Sequence, residues 1–133
     1  MPLFQSHNRP ENKIMAEMLQ PEEAVAEIEP LLSHLWMVRT FLKHAEEIQD
    51  SLEMLEIPRT LFDVIRATEP ALQAGDHSRY IHKLRGKMNR LREARDYLVA
   101  QYSVYSDHTN YQMSARSLDA ATRAIEAVLN RCV

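Results

Sequence analysis

The sequence predicts an all-α fold, an up-and-down bundle of three long helices and one shorter helix bent by proline. Apolar residues recur every three or four positions over long stretches, helix-start signals precede those stretches, and no stretch alternates as a β-strand does. A chain of 133 residues suits one domain with one core. We assign that domain to residues 21–133 and residues 1–20 to an N-terminal arm, mobile or docked locally.

The first helix is expected to begin after Gln20. Pro21 suits the first helical position, and the acids that follow it meet the positive end of the helix dipole. Pro30 is expected to kink or restart this helix. Apolar residues then recur at 31, 35, 38, 42, 45, 48, 52 and 55. This spacing predicts a single helix from Leu31 to Leu55 with one buried face.

The first half of that stretch, LLSHLWMVRTFL, is apolar on more than one side. Successive residues of a helix project about 100° apart, so Trp36 stands away from the stripe that contains Leu35. This excess is covered either by residues 1–20 or the next helix, or by a partner subunit. The second alternative predicts an interface formed by Leu32, Trp36, Met37 and Arg39.

Three more helices follow. Pro58 is expected to open the second, which Pro70 bends and Gly75 ends. Asp76 or Ser78 caps the third, which runs to about Tyr105. Thr109 and Gln112 match a capping box for the fourth, and the short connection makes the last two helices an antiparallel hairpin. The residues expected in or near the core are Trp36, Phe41, Leu42, Leu84, Leu91, Leu98, Leu118 and Ile125.

Composition excludes several function classes. The two glycines, Gly75 and Gly86, leave no material for glycine-rich phosphate-binding loops. The single Cys132 has no partner for an internal disulfide or a paired-cysteine zinc site. No stretch has the length of a signal peptide's apolar core or the roughly 20 apolar residues of a membrane span. We therefore expect a soluble, cytoplasmic protein with no membrane partner.

Charge is distributed unevenly. Residues 1–76 hold 14 acids and 6 bases, and residues 77–133 hold 5 acids and 10 bases. The segment HKLRGKMNRLREAR, residues 82–95, is the most basic. Its cations are spread around the predicted helix instead of concentrated on its outward face, which disfavours a nucleic-acid contact. We expect them to pair with acids of a neighbouring helix, at Glu46, Glu47, Asp50, Glu53 and Glu56.

The histidines give a second hypothesis, a metal site. No histidine of the helical region lies three residues after an acid, so the ligand pair of di-iron bundles is missing. His44 and Glu47 share a helix face and suit iron or zinc, with His82 or His108 completing the site across the bundle. His34 is expected to be partly buried, either as a hydrogen-bonded core histidine or as a ligand or base.

Tyrosines gather around the turn between the last two helices, at positions 97, 102, 105 and 111. They either pack that end of the hairpin or form a polar pocket in which His108 acts as an acid or base. No nucleophile elbow or other catalytic constellation is present in the sequence. We expect a non-catalytic protein-interaction or self-assembling bundle, with a His/carboxylate metal-binding or redox bundle as the alternative.

Overall fold

The structure, a computed structural model, describes residues 18–133. Four α-helices make up most of this part: α1 (Pro21–His44), α2 (Leu52–Gln73), α3 (His77–Tyr105) and α4 (Thr109–Arg131), with a 3₁₀ turn at Glu46–Ile48. Extended pairing in the described residues is limited to one isolated bridge, so the all-α prediction is confirmed. Within the same range, no helix has both the length and the apolar character needed to cross a membrane.

The helices form an up-and-down bundle. Each packs against the next in the chain, α4 returns to pack against α1, and α1 also touches α3 across the centre. Short connections between consecutive helices impose the antiparallel order. The predicted core residues Leu42, Leu84, Leu91, Leu98, Leu118 and Ile125 are all fully buried, whereas Trp36 and Phe41 are half-buried at its edge.

The predicted helix from Leu31 to Leu55 is wrong, because α1 ends at His44. Ala45 takes an extended conformation, and the side-chain amide of Gln49 donates to the carbonyls of Lys43 and Ala45 at 3.1 and 2.8 Å. These bonds satisfy acceptors that the helix end would leave unpaired. Ile48 and Met54, beyond the break, are buried in the same core. The predicted stripe does not continue in register beyond Ile48, because its next member, Leu52, is 74% exposed.

Prolines interrupt the helices less than expected. Pro30 lies inside a continuous α1, and Pro58 and Pro70 both lie inside α2. The N-cap of α2 is Ser51, whose hydroxyl accepts from the amide of Met54 at 3.1 Å. At 22 residues, α2 is the shortest of the four helices, although α4 has 23 and α1 has 24. The prediction that Pro58 opens this helix is wrong.

The remaining helix ends follow local capping chemistry. Gly75 has φ +68°, a left-handed conformation suited to a residue without Cβ, and so ends α2 as predicted. Asp76 caps α3 by accepting from the amide of Arg79 at 3.1 Å. The N-cap of α4 is His108, not Thr109, because its Nδ1 accepts from the amide of Asn110 at 3.0 Å.

The end of the predicted N-terminal arm docks on the C-terminus. Leu19 is buried, its amide donates to the carbonyl of Arg131 at 2.7 Å, and its carbonyl accepts from Val133 at 2.9 Å. Arg85 of α3 donates to the carbonyl of Leu129 at 2.9 Å and so caps the end of α4. The rest of the predicted arm, residues 1–17, lies outside the described residues.

Candidate functional site

The basic segment of α3 pairs with α4. Arg95 contacts Asp119 at 3.3 Å, and Arg92 contacts Glu126 at 3.6 Å. The prediction that these arginines pair with acids near the end of α1 is wrong. Periodicity shows that a helix has a charged margin, but it does not show which neighbour faces that margin. Three of the segment's six Lys and Arg residues therefore take part in helix packing, since Arg92 and Arg95 pair with α4 and Arg85 caps it.

The predicted metal pair is not assembled as a ligand cluster. His44 is exposed at the end of α1, and Glu47 accepts a hydrogen bond from the hydroxyl of Tyr111 at 2.7 Å. That bond lowers the pKa of Glu47, with a smaller contribution from the charge of His108. Across residues 18–133, no three His, Cys, Asp or Glu side chains converge to hold a metal ion. Neither His82 nor His108 completes such a site.

The other histidine and tyrosine predictions concern His34 and the residues around the turn between α3 and α4. His34 is exposed, so the prediction of partial burial is wrong. Nδ1 of His108 is occupied by the cap of α4, and Tyr105 shares a 3.0 Å hydrogen bond with Ser51. Burial, and then a hydrogen bond that Tyr97 donates to Tyr105, raise the pKa of Tyr97. These contacts hold this end of the bundle together.

One buried polar pair was not foreseen. Tyr80 is fully buried, and its hydroxyl donates to the carboxylate of Glu29 on α1. Burial, and then this hydrogen bond, raise the pKa of Tyr80 well above its usual range. The sequence places Tyr80 beside the apolar stripe of α3, but it gives no signal that Glu29 lies opposite. The pair ties α3 to α1 across the bundle.

An arginine–aromatic cluster lies on the surface between α1 and α2. The Trp36 and Phe62 rings are 6.2 Å apart at their centroids and tilted by 37°. The guanidinium carbon of Arg39 lies 4.3 Å from the Trp36 centroid and 5.3 Å from that of Phe62. Arg66 lies 5.1 Å from the Phe62 centroid. Attraction between each cation and the ring faces holds both guanidinium groups in place.

Next to this cluster is a groove of about 630 Å³. Its apolar lining comes from Leu55, Pro58 and Phe62, and its charged lining comes from Arg39, Lys43, Arg59 and Asp63. We refer to this set of residues together with Trp36 as the α1/α2 groove. Three cations against one carboxylate make the groove locally positive in a chain of net charge −3.

Among residues 18–133, Arg39 makes ring contacts but no hydrogen bond or ion pair. Lys43 is exposed and pairs with none of the described carboxylates, while Arg59 is paired with the exposed Glu56 at 3.4 Å. The guanidinium of Arg39 therefore has N–H donors that the described residues do not use, and the planar fork of these donors matches a carboxylate.

The predicted interface residues are divided by the fold. Leu32 is only 4% exposed and belongs to the core, so a partner cannot reach it. Trp36 and Arg39 both contact Phe62 in the arginine–aromatic cluster. Met37 is 66% exposed and lines a separate shallow hollow between α1 and α4. Whether any of them contacts a partner stays a prediction.

The sequence interpretation missed the residues that α2 and the end of α1 contribute to the groove. In the cluster, Trp36 pairs with Arg39 three residues later, and Phe62 pairs with Arg66 four residues later. Side chains at these spacings lie next to each other on a helix, so each pair could be predicted from the sequence. The contact between the two pairs could not, because it depends on how α1 and α2 are aligned.

Comparison of this chain with protein-family models, with curated proteins and with solved structures gave no match.

Proposed function

We propose that this chain is a non-catalytic helical interaction module that binds another protein, or a second copy of itself, through the α1/α2 groove. The observation that carries the proposal is Arg39, stacked on Trp36 and Phe62 at the surface with its hydrogen-bond donors unused by the described residues. Tryptophan and arginine are enriched among the residues that dominate protein–protein binding energy.

The organisation of the groove supports the same conclusion. Its apolar lining offers surface that gains free energy when a partner removes it from water. Its cations lie around that lining, as polar groups surround the apolar centre of many interfaces. Held side chains also lose less conformational entropy on binding than free ones. Arg39, fixed by two rings, is therefore well prepared for a contact.

Co-purification with matched variants tests this function. The full-length chain carries a tag and is expressed in its native cells as wild type, Lys43→Glu or Lys83→Glu. Both lysines are exposed helical residues, but only Lys43 lines the groove. Recovered proteins are quantified by mass spectrometry, and a second copy with a different tag reports self-association.

We expect one protein, or the second copy, to be recovered in stoichiometric yield with wild type and with Lys83→Glu and to be lost with Lys43→Glu. Recovery that is equal for all three chains contradicts the proposal. So does the absence of any stoichiometric partner.

A further inference from the structure

Resting on the function proposed above, we infer that the occupant of the α1/α2 groove is an acidic segment of a different protein, one that places an apolar side chain in the groove and a carboxylate on Arg39. The juxtaposition that supports this inference is a locally positive rim around an apolar lining.

The chemistry of Arg39 selects the anionic group. A guanidinium edge matches a carboxylate with two parallel hydrogen bonds, and such charge-assisted bonds are stronger than neutral ones. Arg39 cannot find this partner among the described residues, where it makes only ring contacts. Lys43 adds positive charge along the same groove, where Arg59 is already paired with Glu56.

The lining selects an apolar anchor beside that carboxylate. Pro58 is buried, and Leu55 and Phe62 are half-buried, so part of their surface faces the groove. A volume of about 630 Å³ accommodates a few side chains. An amphipathic segment that carries Leu, Ile, Phe or Met next to Asp or Glu satisfies the lining and the rim together.

A second copy of this chain is a poorer occupant. A two-fold symmetric dimer places the same surface on both sides of the interface. Two copies meeting at this groove bring Arg39, Lys43 and Arg59 towards the same cations of the partner, and like charges at an interface oppose association.

A nucleic acid is disfavoured by the surroundings of the groove. Asp63 lines it, Glu56 pairs with Arg59, and the exposed acids Glu46, Glu47 and Asp50 follow Lys43 along the chain. A continuous phosphate backbone must pass these carboxylates, whereas a short peptide with one or two acids does not.

Selection from a random peptide library displayed on phage tests the inference. The full-length chain is immobilised, and enriched peptides are synthesised and titrated against it in solution. Trp36, the only tryptophan, reports binding by its fluorescence. Each peptide is titrated against wild type, Arg39→Gln and Arg79→Gln. Arg79 is the matched control because it is an exposed arginine on α3, away from the groove.

We expect enriched peptides to combine a large apolar residue with Asp or Glu within four positions. Their affinity should fall about tenfold or more in Arg39→Gln, as expected for a lost charge-assisted pair. In Arg79→Gln it should stay within about twofold, since a distant exposed charge contributes little. Replacing the peptide's acids by their amides should cause a similar loss.

Two results overturn the inference. The first is that neutral or basic peptides bind wild type and Arg39→Gln with equal affinity but bind Phe62→Leu more weakly. This result excludes an acidic occupant and leaves the groove as an interaction surface. Peptides unaffected by both substitutions, or no enrichment, exclude the acidic occupant. In that case the co-purification described above decides separately whether the groove binds protein at all.

Discussion

The guanidinium carbon of Arg39 lies 4.3 Å from the centroid of the Trp36 ring, one turn earlier on α1. Arg39 therefore covers one face of the only tryptophan in the chain. The contact makes Trp36 a spectroscopic reporter of the residue that the proposed function depends on.

Replacing Arg39 should expose Trp36 with little loss of stability. In Arg39→Gln, the shorter side chain uncovers the indole, so quenching of its fluorescence by acrylamide should rise and its emission should shift to the red. Cation–π contacts near the surface contribute about 0.5–1 kcal/mol, so unfolding by urea should change by no more than that. Arg79→Gln is the control, and an unchanged quenching constant in Arg39→Gln would argue against the stacked geometry.

The two glycines should respond to alanine in opposite directions. Gly75 has φ +68°, so Gly75→Ala forces a side chain into a left-handed conformation and should destabilise the fold by about 1 kcal/mol. Gly86 lies inside α3, and a Cβ added there meets nothing within 4 Å. Gly86→Ala should stabilise it by about 0.5–1 kcal/mol. Urea unfolding of both variants measures the two effects, and equal signs would contradict the assigned helix boundary.

Loss of the Tyr80 hydroxyl should destabilise the bundle in a pH-dependent way. Tyr80→Phe removes the hydrogen bond to Glu29 and should cost about 1–2 kcal/mol at neutral pH. Because the pKa of Tyr80 is raised in the native state, its contribution is complete below the ordinary tyrosine pKa of about 10 and is lost progressively above it.

The stability difference between wild type and Tyr80→Phe should therefore shrink above about pH 10. Urea titrations at neutral and alkaline pH measure it. Tyr102→Phe is a suitable control, because the Tyr102 hydroxyl has no hydrogen bond within the described part of the chain. A difference that grows with pH would reverse the assigned direction.

Arg95 and Arg123, which both pair with Asp119, should contribute different amounts to the free energy of unfolding. The Arg95 side chain is 14% exposed and bridges α3 to α4, whereas that of Arg123 is 74% exposed and pairs within α4. Arg95→Met should cost about 1 kcal/mol, and Arg123→Met no more than about 0.5 kcal/mol. Chemical denaturation of each variant tests this order. Equal losses would mean that the bridge between helices adds nothing beyond an exposed pair.

The sequence was sufficient for the fold class because an amphipathic stripe requires an apolar partner surface. It was insufficient for the first turn of the bundle. Ala45, Ile48 and Leu52 keep the apolar spacing in the sequence across the break after His44, so periodicity alone could not show that the chain reverses there. In the structure Leu52 is 74% exposed and burial resumes at Met54. The side-chain bonds from Gln49 that stabilise the end of α1 carry no distinctive sequence pattern.

Only half of the candidate site could be predicted from the sequence. Excess apolar surface pointed to Trp36 and Arg39 on α1, but it also pointed to Leu32, which the core absorbs. The other half comes from α2, and its position opposite Trp36 depends on the relative alignment of two helices. The basic segment of α3 does pair with a neighbouring helix, but the acids predicted as its partners were wrong for the same reason, since packing decides which helix faces a charged margin.

Site-specific photo-crosslinking in native cells tests most directly whether the groove binds a protein. The photoreactive residue p-benzoylphenylalanine replaces Arg59, whose side chain is 68% exposed at the groove, or Arg79, which is exposed at the start of α3, away from the groove. We predict a discrete crosslinked protein from position 59, absent from position 79 and lost when Arg39→Gln is added. Crosslinks of equal yield at both positions, or none at position 59, would contradict it.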